Sequence, residues 1–100
     1  MKFAQIIDFE TDRIDEMRAL IQQFDESHAG QPGGPTHRLV LQDRNQPRRY
    51  LILIEFESPE EAARNDAAPD TVRLAEQLTA MCTRQPLFTN CDVREATELK

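Results

Sequence analysis

Seven consecutive residues, Tyr50-Leu51-Ile52-Leu53-Ile54-Glu55-Phe56, constrain this chain more than any other stretch. The run has the length of one strand and is rich in residues that suit a pleated surface. Apolar side chains stand at the even positions Tyr50, Ile52, Ile54 and Phe56 and at the odd positions Leu51 and Leu53. Neighbours in a strand point to opposite sides of a sheet, so both faces of this strand favour removal from water. A chain of 100 residues forms one domain, residues 1–100, and has helices enough for one face. The other face calls for a second copy of the chain.

The remaining elements follow from periodicity and punctuation. A first strand is expected from Lys2 to Glu10, with Phe3, Ile7 and Phe9 on one side and Ala4 and Ile6 on the other. Thr11 or Asp12 is placed to cap a helix, and Ile14, Met17, Leu20, Ile21 and Phe24 form its apolar stripe. Gly30 is suited to the left-handed residue that ends such a helix near His28. The loop Gly30-Gln31-Pro32-Gly33-Gly34-Pro35 lacks the Gly-Lys-Ser/Thr ending of a phosphate loop; a flap over a pocket or a plain connector remains for it. Strands are expected over Thr36–Gln42, Tyr50–Phe56 and Leu87–Glu95. Ser58-Pro59-Glu60-Glu61 reads as a capping box opening a second helix, which Pro69 breaks or restarts. The restarted piece carries Val72, Ala75, Leu78 and Cys82 on one side.

The order strand–helix–strand–strand–helix–strand is the ferredoxin-like βαββαβ arrangement of the α+β class: a four-stranded antiparallel sheet with two helices on one face. Leaving four large side chains of the third strand in water would forfeit on the order of 6–12 kcal/mol, at about 1.5–3 each and as an upper bound. That rivals the stability of a small domain. A homodimer joined through the helix-free faces, closing into an α/β barrel, is the expected remedy.

Charge narrows the function classes. Twelve Lys and Arg against 18 Asp and Glu leave a net charge of −6, opposite to the basic field that nucleic-acid binding requires. Arg48 and Arg49 read as a solvated turn or a small basic patch. An RNA-recognition domain shares the element order, but Arg49-Tyr50-Leu51-Ile52-Leu53 lacks its glycine and aromatic pattern. No run approaches the roughly 20 apolar residues of a membrane span, and the start of the chain reaches acidic residues too early for a signal peptide. A cytoplasmic protein without nucleic-acid or membrane partners is expected. Cys82 and Cys91 lack metal spacing and read as reduced, mostly buried thiols. No metal site is expected.

Tyr50 to Ala62, followed by Arg64-Asn65-Asp66-Ala67-Ala68 and the restart Pro69-Asp70-Thr71-Val72, resembles the dimeric α/β-barrel superfamily, and within it the antibiotic-biosynthesis-monooxygenase-like group. The resemblance spans nearly the full chain. It implies a pocket between helices and sheet in each subunit, and a dimer through the opposite face. It also implies chemistry without cofactor, in which an aromatic or apolar substrate loses a proton and itself gives electrons to oxygen; isomerisation is a related use of such a site. A non-catalytic dimeric ligand-binding or accessory module is the alternative. The haem-degrading branch resembles the chain only at Asn65. Its tryptophan, histidine and first-strand asparagine fall on Asp66, Glu76 and Ile7, which speaks against haem degradation.

Five residues are candidates for the site. His28 suits a base near neutrality, or a cap for the last carbonyls of its helix. His37 faces the pocket or the opposite side according to the register of its strand. Tyr50 offers a hydroxyl to a ligand, or buries its ring with the oxygen at the surface. Asn65 and Asp66 occupy pocket positions by the resemblance, against the reading of a polar turn before Pro69. Asn90 on the last strand is a weaker candidate of the same kind, and Cys91 has no basic neighbour in sequence to activate its thiol.

Overall fold

The computed structural model describes all residues, 1–100. Strand β1 covers Phe3–Glu10, helix α1 Ile14–Ser27, β2 His37–Gln42, β3 Arg49–Phe56, α2 Pro59–Ala67, α3 Pro69–Ala80 and β4 Leu87–Asp92. The strands form one antiparallel sheet in the order β2-β3-β1-β4, which is the expected ferredoxin-like topology. The strand ends differ from expectation by a few residues: β4 stops at Asp92 rather than Glu95, although Val93 still donates its N–H to the carbonyl of Lys2.

The register settles which side each residue takes. Phe9 pairs with Tyr50 and Ile7 with Ile52, so Tyr50, Ile52, Ile54 and Phe56 share a face with Phe3, Ile7 and Phe9. That face meets the helices. Phe9, Met17, Tyr50 and Ile52 form the buried cluster, and Ile7, Ile14, Ile21, Ile54, Leu78, Met81 and Cys82 pack around it. The Phe9 and Tyr50 rings stack with centroids 5.7 Å apart.

The other face carries no helix. It holds two large apolar residues of β3, Leu51 and Leu53, rather than four. Their pairing partners bring Ile6, Leu39 and Leu41 to the same side, and Leu87 joins from β4. Leu39, Leu41 and Leu87 are 56%, 46% and 60% exposed. The apolar area that wants cover is therefore spread over four strands instead of being concentrated in one.

Helix starts are set by local chemistry, with two departures from expectation. Ser58 caps α2 by accepting from the Glu61 N–H at 3.1 Å, but the reciprocal arm of a capping box is missing because the Glu61 carboxylate turns to Arg64. At α1 neither Thr11 nor Asp12 caps: the cap position is Arg13, with no side-chain bond. Thr11 is instead buried, and its Oγ1 accepts from Arg13 N–H (2.9 Å) while donating to the Met81 carbonyl (2.7 Å). One hydroxyl thus ties the end of β1 to both the start of α1 and the end of α3. Asp12 points outward to Arg48.

Arg49 contributes no basic patch. It forms 2.8 Å ion pairs with Asp8 and Asp43, and Arg84 reaches the same Asp8 at 2.8 Å and Glu10 at 3.2 Å. This network lies at one end of the helix-free face. The Arg49 guanidinium, against some cost of burial and with help from Arg84, holds the Asp8 carboxyl below its ordinary value of 3.8. A carboxylate with a depressed folded-state pKa adds stability above its unfolded pKa and loses it as pH falls through the folded value. Asp8→Asn is therefore expected to cost about 1 kcal/mol at neutral pH. It should also flatten the loss of stability below about pH 4, measured by urea unfolding across pH.

Candidate functional site

Pro69 shapes the region where a ligand could sit. The residue before a proline is pushed out of helical conformation, and Ala68 accordingly adopts φ −66°, ψ 132°. α2 ends at Ala67, and α3 starts again at Pro69. This second piece buries none of its side chains fully. Its far end closes on the core through Leu78, Met81 and Cys82; its near end stands off the sheet. The gap is a chamber of about 720 Å³ that opens to solvent on one side, with Phe88 55% and Val72 41% exposed. Its floor is Ile7, Ile54, Phe56 and Phe88, its roof Val72, Ala75 and Leu78, and Asn65 and Asp66 stand at the corner between the two helices.

The chamber is mostly apolar, with its polar groups set apart. Gln5 on the floor is tied to Asn90 by a 3.1 Å bond from Nε2 to Oδ1. Asn65 uses its carbonyl to accept from Ala68 N–H (3.2 Å), while its carboxamide makes no hydrogen bond within the chain. Asp66 is an exposed residue overall, yet partial burial of its carboxyl raises its pKa above the usual carboxylate value. A pocket of several hundred Å³ with an apolar lining and a few polar groups is the usual form of a small-molecule site.

A second recess, an open polar groove of about 840 Å³, shares Asn65 and Thr71 with the chamber. Asp25 and Arg38 form one wall through a two-pronged ion pair at 2.8 and 2.9 Å. The glycine loop forms its rim. Gly33 has φ +80°, and a Cβ there would lie 2.7 Å from Glu61 Oε2. The loop thus lies directly over the start of α2.

The sequence candidates divide between these places. Asn65 and Asp66 line the chamber. Tyr50 does not: it is 8% exposed in the core, and its hydroxyl accepts from Gln42 Nε2 at 3.3 Å. His28 borders the groove rather than the chamber; its Nδ1 donates to the Phe24 carbonyl (2.8 Å), its ring stacks on Phe24, and Nε2 faces Asp70 at 3.4 Å. It thus performs the capping role. His37, at the start of β2, also borders the groove; it pairs with Glu55 and is 73% exposed, with Nδ1 3.7 Å from that carboxylate. Cys91 is a half-buried free thiol on the helix-free side, while burial pushes the Cys82 thiol up. Sequence reasoning missed Gln5 and Phe88, which only the register brings to the floor. It also missed the network around Asp8.

No family model matches the chain, and no curated protein sequence matches it. Solved structures do. SnoaB, a cofactor-independent oxygenase from Streptomyces nogalater, is 18% identical, with 95% of each chain covered and a TM-score of 0.77. A candidate antibiotic biosynthesis monooxygenase from Deinococcus radiodurans is 18% identical over 100% of this chain and 99% of that one, with a TM-score of 0.73. Rv0793 from Mycobacterium tuberculosis is 13% identical over 98% and 100%, with a TM-score of 0.76.

Replacing Gly33 by alanine should cost about 1–2 kcal/mol in thermal unfolding for its φ of +80°, and Gly30→Ala about as much, because the Glu61 carboxylate that a Cβ at Gly33 would meet is the end of a flexible side chain. At identities this low the likeness speaks for architecture, and the chain has the fold of the antibiotic-biosynthesis-monooxygenase-like proteins.

Proposed function

We propose that the protein is a homodimeric small-molecule enzyme of the cofactor-independent monooxygenase type, acting on an apolar aromatic compound in the chamber beneath α3. The observation that carries this reading is the chamber itself: about 720 Å³, floored by Phe56 and Phe88 and edged by Asn65 and Asp66. The shared fold with SnoaB supports the reaction class. In such a reaction an activated ring methylene is converted to a carbonyl. Two C–H bonds break, one atom of dioxygen enters the product, and the other leaves as water. The electrons come from the substrate, so the protein need only hold the ring, exclude water and accept a proton. Asn65 orients a polar substituent through its free carboxamide.

The second copy covers the helix-free face. Leu39, Leu41 and Leu87 are too exposed, and too close to Ile6, Leu51 and Leu53, for a lone chain. A facing sheet would bury this surface with the same residues from both partners.

One observation favours the alternative, a non-catalytic dimeric binding or accessory module: neither His28 nor His37 lines the chamber. Two measurements separate the readings. An anthrone-type compound should bind, and Ala75→Trp, which fills the roof, should weaken binding at least about tenfold while leaving the circular dichroism spectrum unchanged. Oxygen uptake with that compound, above its spontaneous rate and without added metal or flavin, would establish the enzyme. Tight binding with no added uptake would leave the binding module.

A further inference from the structure

The charge of the chamber lining restricts its ligand. Asp66 and Glu76 are the only ionisable residues that line it; there is no Arg, Lys or His. Neither carboxylate has a hydrogen-bond or ion-pair partner within the chain, and Asp66 stands in the last turn of α2, where the helix dipole disfavours negative charge. The arginines nearby are committed elsewhere: Arg64 to Glu61, Arg73 to Asp70 and Arg38 to Asp25. Asp70 also faces His28 in the outer groove, and the sheet floor contributes no charge.

An anionic ligand would meet like charge at Asp66 and Glu76, with no cation on the lining to balance it. The same limit applies to an intermediate. If a bound neutral substrate lost its proton to bulk water, the chamber would gain a negative charge beside two others. If the proton passes to Asp66, the substrate's C–H or O–H bond breaks, its electron pair stays on the substrate, and an O–H bond forms on the carboxyl. The total charge of the chamber is then unchanged.

We propose that the chamber selects an uncharged aromatic compound bearing an acidic O–H or C–H, and that Asp66 is the group that takes its proton. This rests on the reading of the chamber as the ligand site. The partial burial that raises the Asp66 pKa also brings it closer to that of a weak carbon or phenolic acid, which favours transfer.

Matched probes at neutral pH test the selection. 1-Naphthol should bind at least about tenfold more tightly than 1-naphthoate, a preference that Asp66→Asn and Glu76→Gln should each reduce. Bound 4-nitrophenol, followed by its absorbance, should ionise at a higher pH than in free solution, and both variants should bring that pH down. A residue with only a structural role would not move it. With an anthrone-type substrate, Asp66→Asn should lower kcat about 100-fold or more with KM little changed, and remove the rise of rate with pH that a basic carboxylate produces. Equal binding of naphthol and naphthoate, or a rate and pH profile left unchanged by Asp66→Asn, would overturn the proposal while leaving the pocket reading intact. If neither naphthalene binds, the chamber is not the ligand site and both fall.

Discussion

The sheet has two apolar faces, and the chain has helices for only one of them. Nearly everything else in the molecule is arranged by that imbalance. Strand β3 sits inside the sheet between β2 and β1, so its backbone is paired on both edges and its side chains must find cover above and below. Above, Tyr50, Ile52 and Phe56 are buried. Below, Leu51 and Leu53 join a helix-free apolar surface with the Asp8–Arg49–Arg84 network at its end, the surface that the proposed second copy would cover. Apolar contact drives association, and a charged group at an interface punishes wrong register. In the proposed dimer the network would give two facing sheets a means of distinguishing one alignment from another.

The chamber arises from a separate constraint, the proline at the start of α3. A continuous helix from Pro59 to Ala80 would carry a single stripe straight across the sheet. The break at Ala68 instead lets the far end of α3 pack on the core while its near end stays clear. It also brings Asn65 and Asp66 to the corner of the gap. Asn65 and Asp66, in the last turn of α2, thus lie next to the break, and the pocket needs no loop to define its walls.

Much of this was legible in the residues. The double-sided strand, the serine cap of α2, the stop at Pro69 and the alternation of β1 each report a local preference that tertiary structure then kept. The parts that were not legible depend on pairing between distant segments. Thr11 reads as a helix cap from its neighbours, but its hydroxyl is claimed by Met81, 70 residues away. Arg49 reads as a surface charge until β1 and the Arg84 segment bring carboxylates and a second guanidinium to it. Tyr50 and His37 could be oriented only once register was known, since a shift of one residue exchanges the two faces. Register sent Tyr50 into the core and His37 to the side away from the chamber. The resemblance alone points to Asn65 and Asp66, whose place before Pro69 otherwise reads as a polar turn; the structure puts them on the lining of the chamber.

Mass in solution addresses the imbalance between the two faces most directly. Light scattering coupled to size exclusion, on the protein at micromolar concentration, should give about twice the 11.5 kDa chain mass, and Leu53→Lys should shift the protein toward that single-chain mass. A folded species that remains at 11.5 kDa with its helix-free leucines open to water would contradict the account.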